Sequence, residues 1–483
     1  MGYDLVVKGG RIATAADLFE ADIGVRGGRI VAIGEDLGLG DRTIDARGRL
    51  ITPGGIDAHA HIEQISSTGV WTADDWFTAT RSAACGGTTV VMPFAAQHKG
   101  DSIRQVVADY HDRAGPKACI DYGFHMIISD PRPEIVDDEL PELIRKGYTS
   151  FKIYLTYDAL KLNDREVLEV YALARREGAF VMVHAENHDS IAFLAQKLLA
   201  AGHKAPKFHA VSRPQAVERE ATHRAITLAE LVDQPVLIVH VSGAEAFDQI
   251  RWAQARGLRI YAETCPQYLF LCAEDLDQPG IEGAKCMCSP PPREKANQPA
   301  VWRAIANGVA QVFSSDHAPY RFGDADGKQK ALQDFKKVPN GVPGLELRMP
   351  LLFSEGVGKG RIDIHTFVAV TATNPARLYG LSPRKGSIAV GADADLVIWD
   401  PDRAVTVSHS LLHDAMDYTP YEGMQLTGWP IETLCRGVTV AKEMEFVGQA
   451  GFGQFHCRPL SDMARPVGRF PTGFNPHDGS YQP

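Results

Sequence analysis

The sequence predicts an α/β protein: a (β/α)8 TIM barrel carrying a small β-sandwich domain built from both ends of the chain. Three observations predict it. The middle of the chain alternates short apolar runs with helical patterns, as the βα units of a parallel sheet do. Eight such runs can be read, the number that closes a barrel. The two ends share another texture, two-residue alternation broken by glycines.

In chain order, the first 53 residues hold Leu5-Val6-Val7, Ile23-Gly24-Val25 and Ile30-Val31-Ala32-Ile33, separated by Gly9-Gly10 and Gly27-Gly28. The middle, 54–384, has strands ending at His61, near Phe94, Ser129, Leu155, Glu186, Val241 and Thr264, and at Asp316. Helices are predicted over 101–114, 137–146, 164–177, 213–233 and 244–256. No Gly-x-Gly-x-x-Gly follows the first strand, which leaves a dinucleotide fold without support. The β texture returns over 385–450, in Ala394-Asp395-Leu396-Val397-Ile398-Trp399 and Gly437-Val438-Thr439-Val440, and is expected to pair with residues 1–53. From 451 to 483 periodicity gives way to Pro, Gly and Phe, which predicts an extended tail lying on this subunit or a neighbour.

Composition narrows the function. The 483 residues are 45% hydrophobic and 23% charged, an ordinary globular balance. The net charge of −10 and the lack of any basic run argue against nucleic acid or an anionic membrane as partner. No apolar run reaches the about 18 residues of a membrane span. The first residues lack the basic start and apolar centre of a signal peptide, and Val6 stands where myristoylation wants Ser or Thr. Eight scattered cysteines then read as reduced thiols of a cytoplasmic protein. Cys286 and Cys288 read as packing rather than metal binding, since neither a second cysteine pair nor a nearby histidine completes a zinc pattern.

In a barrel, chemistry sits where strands end. The first strand ends Gly55-Ile56-Asp57-Ala58-His59-Ala60-His61. Residues two apart on a strand share a face, so both imidazoles and Asp57 point one way, and imidazole suits zinc and other first-row metals. Other strand ends carry Lys152, His184, His240 and Asp316. One histidine closing an apolar strand is usually structural; five such ends in register are hard to explain by packing. Lys152 sits inside the apolar run Phe151-Lys152-Ile153-Tyr154-Leu155. A desolvated lysine beside cations loses its proton readily, and the neutral amine can add carbon dioxide to give a carbamate that bridges two metals. A surface lysine packing its stem on apolar atoms fits the same residues, and the run leaves both readings open.

Taken together these motifs resemble the dihydropyrimidinase/D-hydantoinase family of cyclic amidohydrolases, over about residues 1–450. The resemblance rests on Gly55–His61, on Ser150-Phe151-Lys152 with Tyr157, on Val183-His184-Ala185-Glu186-Asn187, Val239-His240-Val241-Ser242 and Ser315-Asp316-His317-Ala318-Pro319, and on the later Asn374–Leu381 and Gly391–Val397. It implies two zinc ions per subunit. His59, His61, Lys152 and Asp316 would hold one; Lys152 as carbamate, His184 and His240 would hold the other, with a bridging hydroxide. It implies that Asp316 carries the proton, that Tyr157 donates to the oxyanion, and that backbone groups at Ser289 and Asn340 hold the ring. The product would be an N-carbamoyl amino acid, and the assembly a homotetramer or homodimer. Ser289-Pro290 and Asn340-Gly341 are equally ordinary turn formers.

The chain departs from the pattern at Ile62-Glu63-Gln64. Dihydroorotases carry an arginine where Glu63 stands, so a carboxylate-bearing ring is disfavoured. Hydantoinases are apolar in this loop, so Glu63 and Gln64 are expected to shape substrate choice, and Trp71 to line the pocket. His317 is expected to point away from the centre. Alternatives are an allantoinase or other cyclic ureide or imide hydrolase, a mononuclear deaminase, which a bridging Lys152 disfavours, and a non-catalytic scaffold, which the full set of ligand positions disfavours.

Overall fold

The computed structural model describes residues 2–66 and 68–482. The N-terminal segment forms β1 (Leu5–Ala13), β2 (Leu18–Arg26), β3 (Arg29–Gly34), β4 (Arg42–Asp45) and β5 (Leu50–Pro53). The middle supplies β6 (Gly55–Asp57), β7 (Thr88–Val91), β8 (Phe94–Ala96), β9 (Asp121–Tyr122), β10 (His125–Ile127), β11 (Ser150–Tyr154), β12 (Phe180–His184), β13 (Val236–Ile238), β14 (Ile260–Thr264) and β15 (Val312–Phe313). The late segment adds β16 (Leu396–Thr406), β17 (Gln425–Cys435), β18 (Val438–Lys442) and β19 (Glu445–Phe446).

The ends pair with each other. One nine-stranded sheet runs β19-β18-β17-β16-β5-β1-β2-β3, with β4 beside β1. Its joint is the antiparallel pairing of β16 with β5, Leu396 opposite Pro53 and Trp399 opposite Leu50. Leu5, Val7, Ile23, Ile51, Leu396 and Ile398 gather there into one buried cluster.

The middle strands pair in parallel, seven in the order β15-β14-β13-β12-β11-β10-β8 and three in the order β6-β7-β9. An isolated parallel bridge joins Ala60 to His317. Parallel strands are covered on both faces, which is why they read as continuous apolar runs. Alternation sorts their side chains into two cores. Phe151, Ile153, Val181, Val183 and Ile238 face the cluster that holds helix residues such as Val167 and Val170. Tyr154, Met182, Leu237, Val239 and Val312 face a second, inner cluster with Ile56, Val90 and Phe94. Lys152 and His184 share the inner parity of Tyr154 and Met182.

The intervening helices include α1 (Trp76–Cys85), α2 (Ile103–Ala114), α3 (Leu140–Arg145), α4 (Asp164–Glu177), α5 (His188–Ala200), α6 (Phe208–Val211), α7 (Gln215–Val232) and α8 (Ala244–Ala255). Sequence pattern finds α2, α4, α7 and α8 within two residues but overlooks α1 and α5. The local chemistry of α4 shows why it is legible: Asn163 and Glu166 form a reciprocal capping box, and Gly178 ends the helix in the left-handed conformation. The C-terminal segment runs back along the parallel strands. Phe455 bridges Tyr122, and Arg458, 2% exposed, donates to Ser150 Oγ and to the Phe124 carbonyl.

Candidate metal centre and substrate cavity

A cavity of about 350 Å³ opens where the parallel strands end. Its wall includes His61, Lys152, His184, His240, Asp316 and Tyr157, together with Ser289 and Asn340. Ser289 Oγ and Asn340 Oδ1 are buried near Tyr157, with no hydrogen-bond partner in bonding geometry among the described residues. His59 lies fully buried behind His61. All nine residues singled out in the sequence are therefore brought to one place.

The donors converge in two groups. Around Asp316 Oδ1 stand His59 Nε2 at 3.2 Å and His61 Nε2 at 3.5 Å, and Lys152 Nζ is 2.8 Å from the same His59 nitrogen. In the second group His240 Nε2 is 2.9 Å from His184 Nδ1. One ligand atom each from His59, His240 and Asp316 lie within 4.8 Å of one another.

The outer nitrogens of three of the four histidines are already committed. His59 Nδ1 meets Glu263 Oε1 at 2.6 Å, His61 Nδ1 meets Gln64 Oε1 at 2.9 Å, and His184 Nε2 meets Glu186 Oε2 at 2.7 Å. A neutral imidazole that donates outward presents a lone pair inward. The inward nitrogens therefore face one another as acceptors, an arrangement that suits a cation between them. Oriented histidines with carboxylate or amide partners behind them are the usual support of metal ligands. The donor set, nitrogen plus carboxylate, fits zinc or a similar first-row divalent ion.

The electrostatics agree. Burial, helped by Lys152, drives the His59 imidazolium far below its usual range, and burial does the same to His240. Burial draws Lys152 down to about 8. Burial works against the charge of Asp316, yet His59, His61 and Lys152 outweigh it and hold the carboxyl at about 2. The centre thus offers neutral imidazoles, an ionised carboxylate and a lysine poised to lose its proton. Burial also pushes the Tyr157 phenol up to about 12, so it remains a donor at neutral pH.

Three of these residues take left-handed backbone: Tyr157 at φ +66°, His240 at +39° and Asp316 at +48°. Such strain costs on the order of 1–3 kcal/mol per residue and gathers where side-chain aim matters. For His240 the reason is visible. Alternation would send it outward with Ile238; the left-handed turn brings its ring in to His184.

Two sequence expectations fail. Glu63 does not shape the cavity. At φ +45° its side chain turns away, and both carboxylate oxygens lie 2.9 Å from Lys117 Nζ. Trp71 is absent from the cavity wall; it is half exposed, with the Arg113 guanidinium 5.6 Å from its ring centre. Gln64, by contrast, lines the cavity and orients His61. His317 does point away, its Nε2 3.0 Å from Asp74 Oδ2.

Sequence reasoning also missed Glu263 and Glu186 as supports. Glu186 was accessible from its spacing, two residues after His184. Glu263 carries the signal that marked Lys152, a lone charge inside a buried strand.

Comparison with known proteins adds independent findings. The Amidohydrolase family model matches residues 50–440. The chain is 44% identical over 456 residues to a D-hydantoinase of Rhizobium radiobacter, covering 94% of this chain and 99% of that one. The structure of a dihydropyrimidinase from Brevibacillus agri superposes with a TM-score of 0.92 at 43% identity, over 95% of this chain and 99% of that one. An L-hydantoinase (dihydropyrimidinase) from Arthrobacter aurescens superposes at 0.86 and 30% identity, over 94% and 100%.

Proposed function

Since the chain belongs to the amidohydrolase family, we propose that it hydrolyses the cyclic amide bond of 5-substituted hydantoins or dihydropyrimidines to N-carbamoyl amino acids. The observation that carries the reading is the convergence of six candidate ligand side chains, three of whose histidines already have their outer nitrogens committed to other partners. His59, His61, Lys152 and Asp316 would hold one zinc ion; His184 and His240, with Lys152 as a shared carbamate, would hold a second. Two such cations lower the pKa of water and polarise an amide carbonyl.

The residues of the chain do the rest. Ser289 and Asn340 line the same cavity and would present polar groups to the ring. Asp316, ionised, accepts the proton of the attacking water and passes it to the departing ring nitrogen. Tyr157, protonated, donates to the carbonyl oxygen as charge grows there, a donor prepositioned at the cost of its backbone strain. The scaffold is read as a (β/α)8 barrel over 54–384, supported by the parallel ladders from β6 to β15 and the Ala60–His317 bridge. Residues 1–53 and 385–450 are read as a β-sandwich, and 451–483 as the tail. A homotetramer in the cytoplasm completes the proposal; eight free cysteines suit that compartment.

The test is ring opening of dihydrouracil, 5-substituted hydantoins and allantoin by metal-loaded protein, with zinc per subunit counted in the same sample. Two zinc ions with hydantoin or dihydrouracil turnover is the expected result. Two zinc ions with allantoin alone opened would move the substrate and keep the chemistry. A protein that binds no zinc and opens no ring would overturn the reading.

A further inference from the structure

Lys328 is fully buried and lies outside the cavity wall. Its Nζ donates to three main-chain carbonyls: Gly341 O at 2.7 Å, Pro339 O at 2.9 Å and Met287 O at 3.0 Å. Burying an ammonium is costly, and a purely structural tether there has cheaper solutions in apolar side chains. Burial draws Lys328 down to about 7, but three acceptors match the three protons of the ammonium, where the neutral amine has two, and this geometry favours the charged form.

What these carbonyls belong to decides the reading. Pro339 and Gly341 flank Asn340, and Met287 stands two residues before Ser289. Gly341 N also donates to Met287 O at 2.9 Å, so the two segments are joined both directly and through Lys328. The carbonyl of Pro339 and the N–H of Asn340 are two ends of one peptide unit. A cation bonded to that carbonyl polarises the unit and makes the N–H a stronger donor, as in any hydrogen-bonded chain. Gly341 has no room for a side chain, since a Cβ there would lie 2.4 Å from Ala318, so the segment packs closely on its neighbour.

We propose that Lys328 is a positioning residue for substrate, clamping the Met287–Ser289 and Pro339–Gly341 segments from behind and sharpening the Asn340 N–H that faces the ring. It acts through Asn340 and touches neither ring nor metal. This rests on the ring-opening reading above, which places the ring against Ser289 and Asn340.

The experiment compares wild type with Lys328→Met, which keeps length and loses charge, and Lys328→Gln, which keeps two donors. All are loaded with zinc and assayed on one 5-substituted hydantoin, with KM, kcat, zinc content and Tm measured together. The expected result is a KM raised about tenfold in Lys328→Met, a smaller rise in Lys328→Gln, kcat within about threefold and zinc content unchanged. An unchanged KM overturns the proposal. So does a parallel loss of kcat, zinc and Tm in both variants, which would make Lys328 a structural tether alone. Should Lys328→Met fail to fold, the KM-to-kcat split in Lys328→Gln decides by the same criteria. A wild type that opens no cyclic ureide would sink the underlying reading instead, and this inference with it.

Discussion

Glu263 gives the sharpest test of the centre, because it acts on a proposed ligand without being one. Its Oε1 accepts from His59 Nδ1 at 2.6 Å and from the backbone N–H of His240 at 3.1 Å, so a single oxygen fixes a residue of each donor group. Both Glu263 and His59 are fully buried, so water cannot replace the carboxylate. Burial pushes the Glu263 carboxyl up to about 8, so replacing it by Gln keeps an acceptor and removes the capacity to ionise when a cation binds beside it. Replacing it by Leu removes the acceptor too and leaves two buried N–H groups unpartnered, each costing about 1–3 kcal/mol. Support of this kind is worth about 10–100-fold in metal affinity, or about 1.4–2.8 kcal/mol. Glu263→Gln is therefore expected near the lower bound and Glu263→Leu at or beyond the upper. The assay is competition for zinc between metal-free protein and a chelator of known affinity, with folding checked by circular dichroism. A folded Glu263→Leu that binds zinc as tightly as wild type would refute the reasoning, since His59 would then need no orientation to hold metal.

Lys152→Ala is expected to lose most bound metal and activity together; a variant with full zinc content, counted by elemental analysis, would sink the carbamate bridge. Tyr157→Phe is expected to keep its zinc and lose about 2.7–4 kcal/mol of transition-state stabilisation, the usual cost of one oxyanion donor, and unchanged turnover would remove that role. Asp121 anchors the parallel strands to the late segment and the tail, taking Lys385 at 2.7 Å and His456 at 3.0 Å on one oxygen. Burial opposes its charge, but His456, Lys385 and Arg436 outweigh that and hold the carboxyl below the usual carboxylate range. A depressed carboxyl contributes stability that is present above its unfolded pKa of about 4 and lost as pH falls from there toward the folded value. Asp121→Ala should accordingly lower stability by about 3–5 kcal/mol at pH 7 and flatten the acid limb of a Tm-against-pH curve; an unchanged acid limb would show that the network does not titrate.

The parallel strands were legible because burial on both faces makes them short continuous apolar runs between helical patterns. Lys152 and His184 share the parity of Tyr154 and Met182, whose inner cluster the structure identifies; the sequence alone leaves Lys152 open between an inward and a surface position. The pairing of the two ends was legible from texture, and the register of β16 on β5 was not, because alternation carries no information about which strand is the neighbour. Helix α4 advertises both its caps; α1 and α5 were overlooked because their mixed small and polar positions blur the helical period. Glu63 was misassigned for a related reason. Its side-chain direction is set by a left-handed φ in a loop, and nothing in Ile62-Glu63-Gln64 announces that turn.

The same left-handed backbone explains why the site was recognised from motifs more securely than from pattern. A strict reading of Val236-Leu237-Ile238-Val239-His240 places His240 on the outer face with Ile238. The chain places it inward, at φ +39°, against the preference of a non-glycine residue. Tyr157 and Asp316 incur the same local penalty within the same cavity wall. Strain at three functional positions cannot be inferred from local rules, because those rules describe the conformations a residue prefers. It persists only where surrounding structure over-determines it, and here that structure is the doubly covered sheet on which the three residues end. His240, which a pattern misplaces, is then a residue whose aim the proposed chemistry requires, and Glu263, which fixes the backbone N–H of His240 and the ring of His59 with one oxygen, is the link between the strained backbone and the proposed metal ligands.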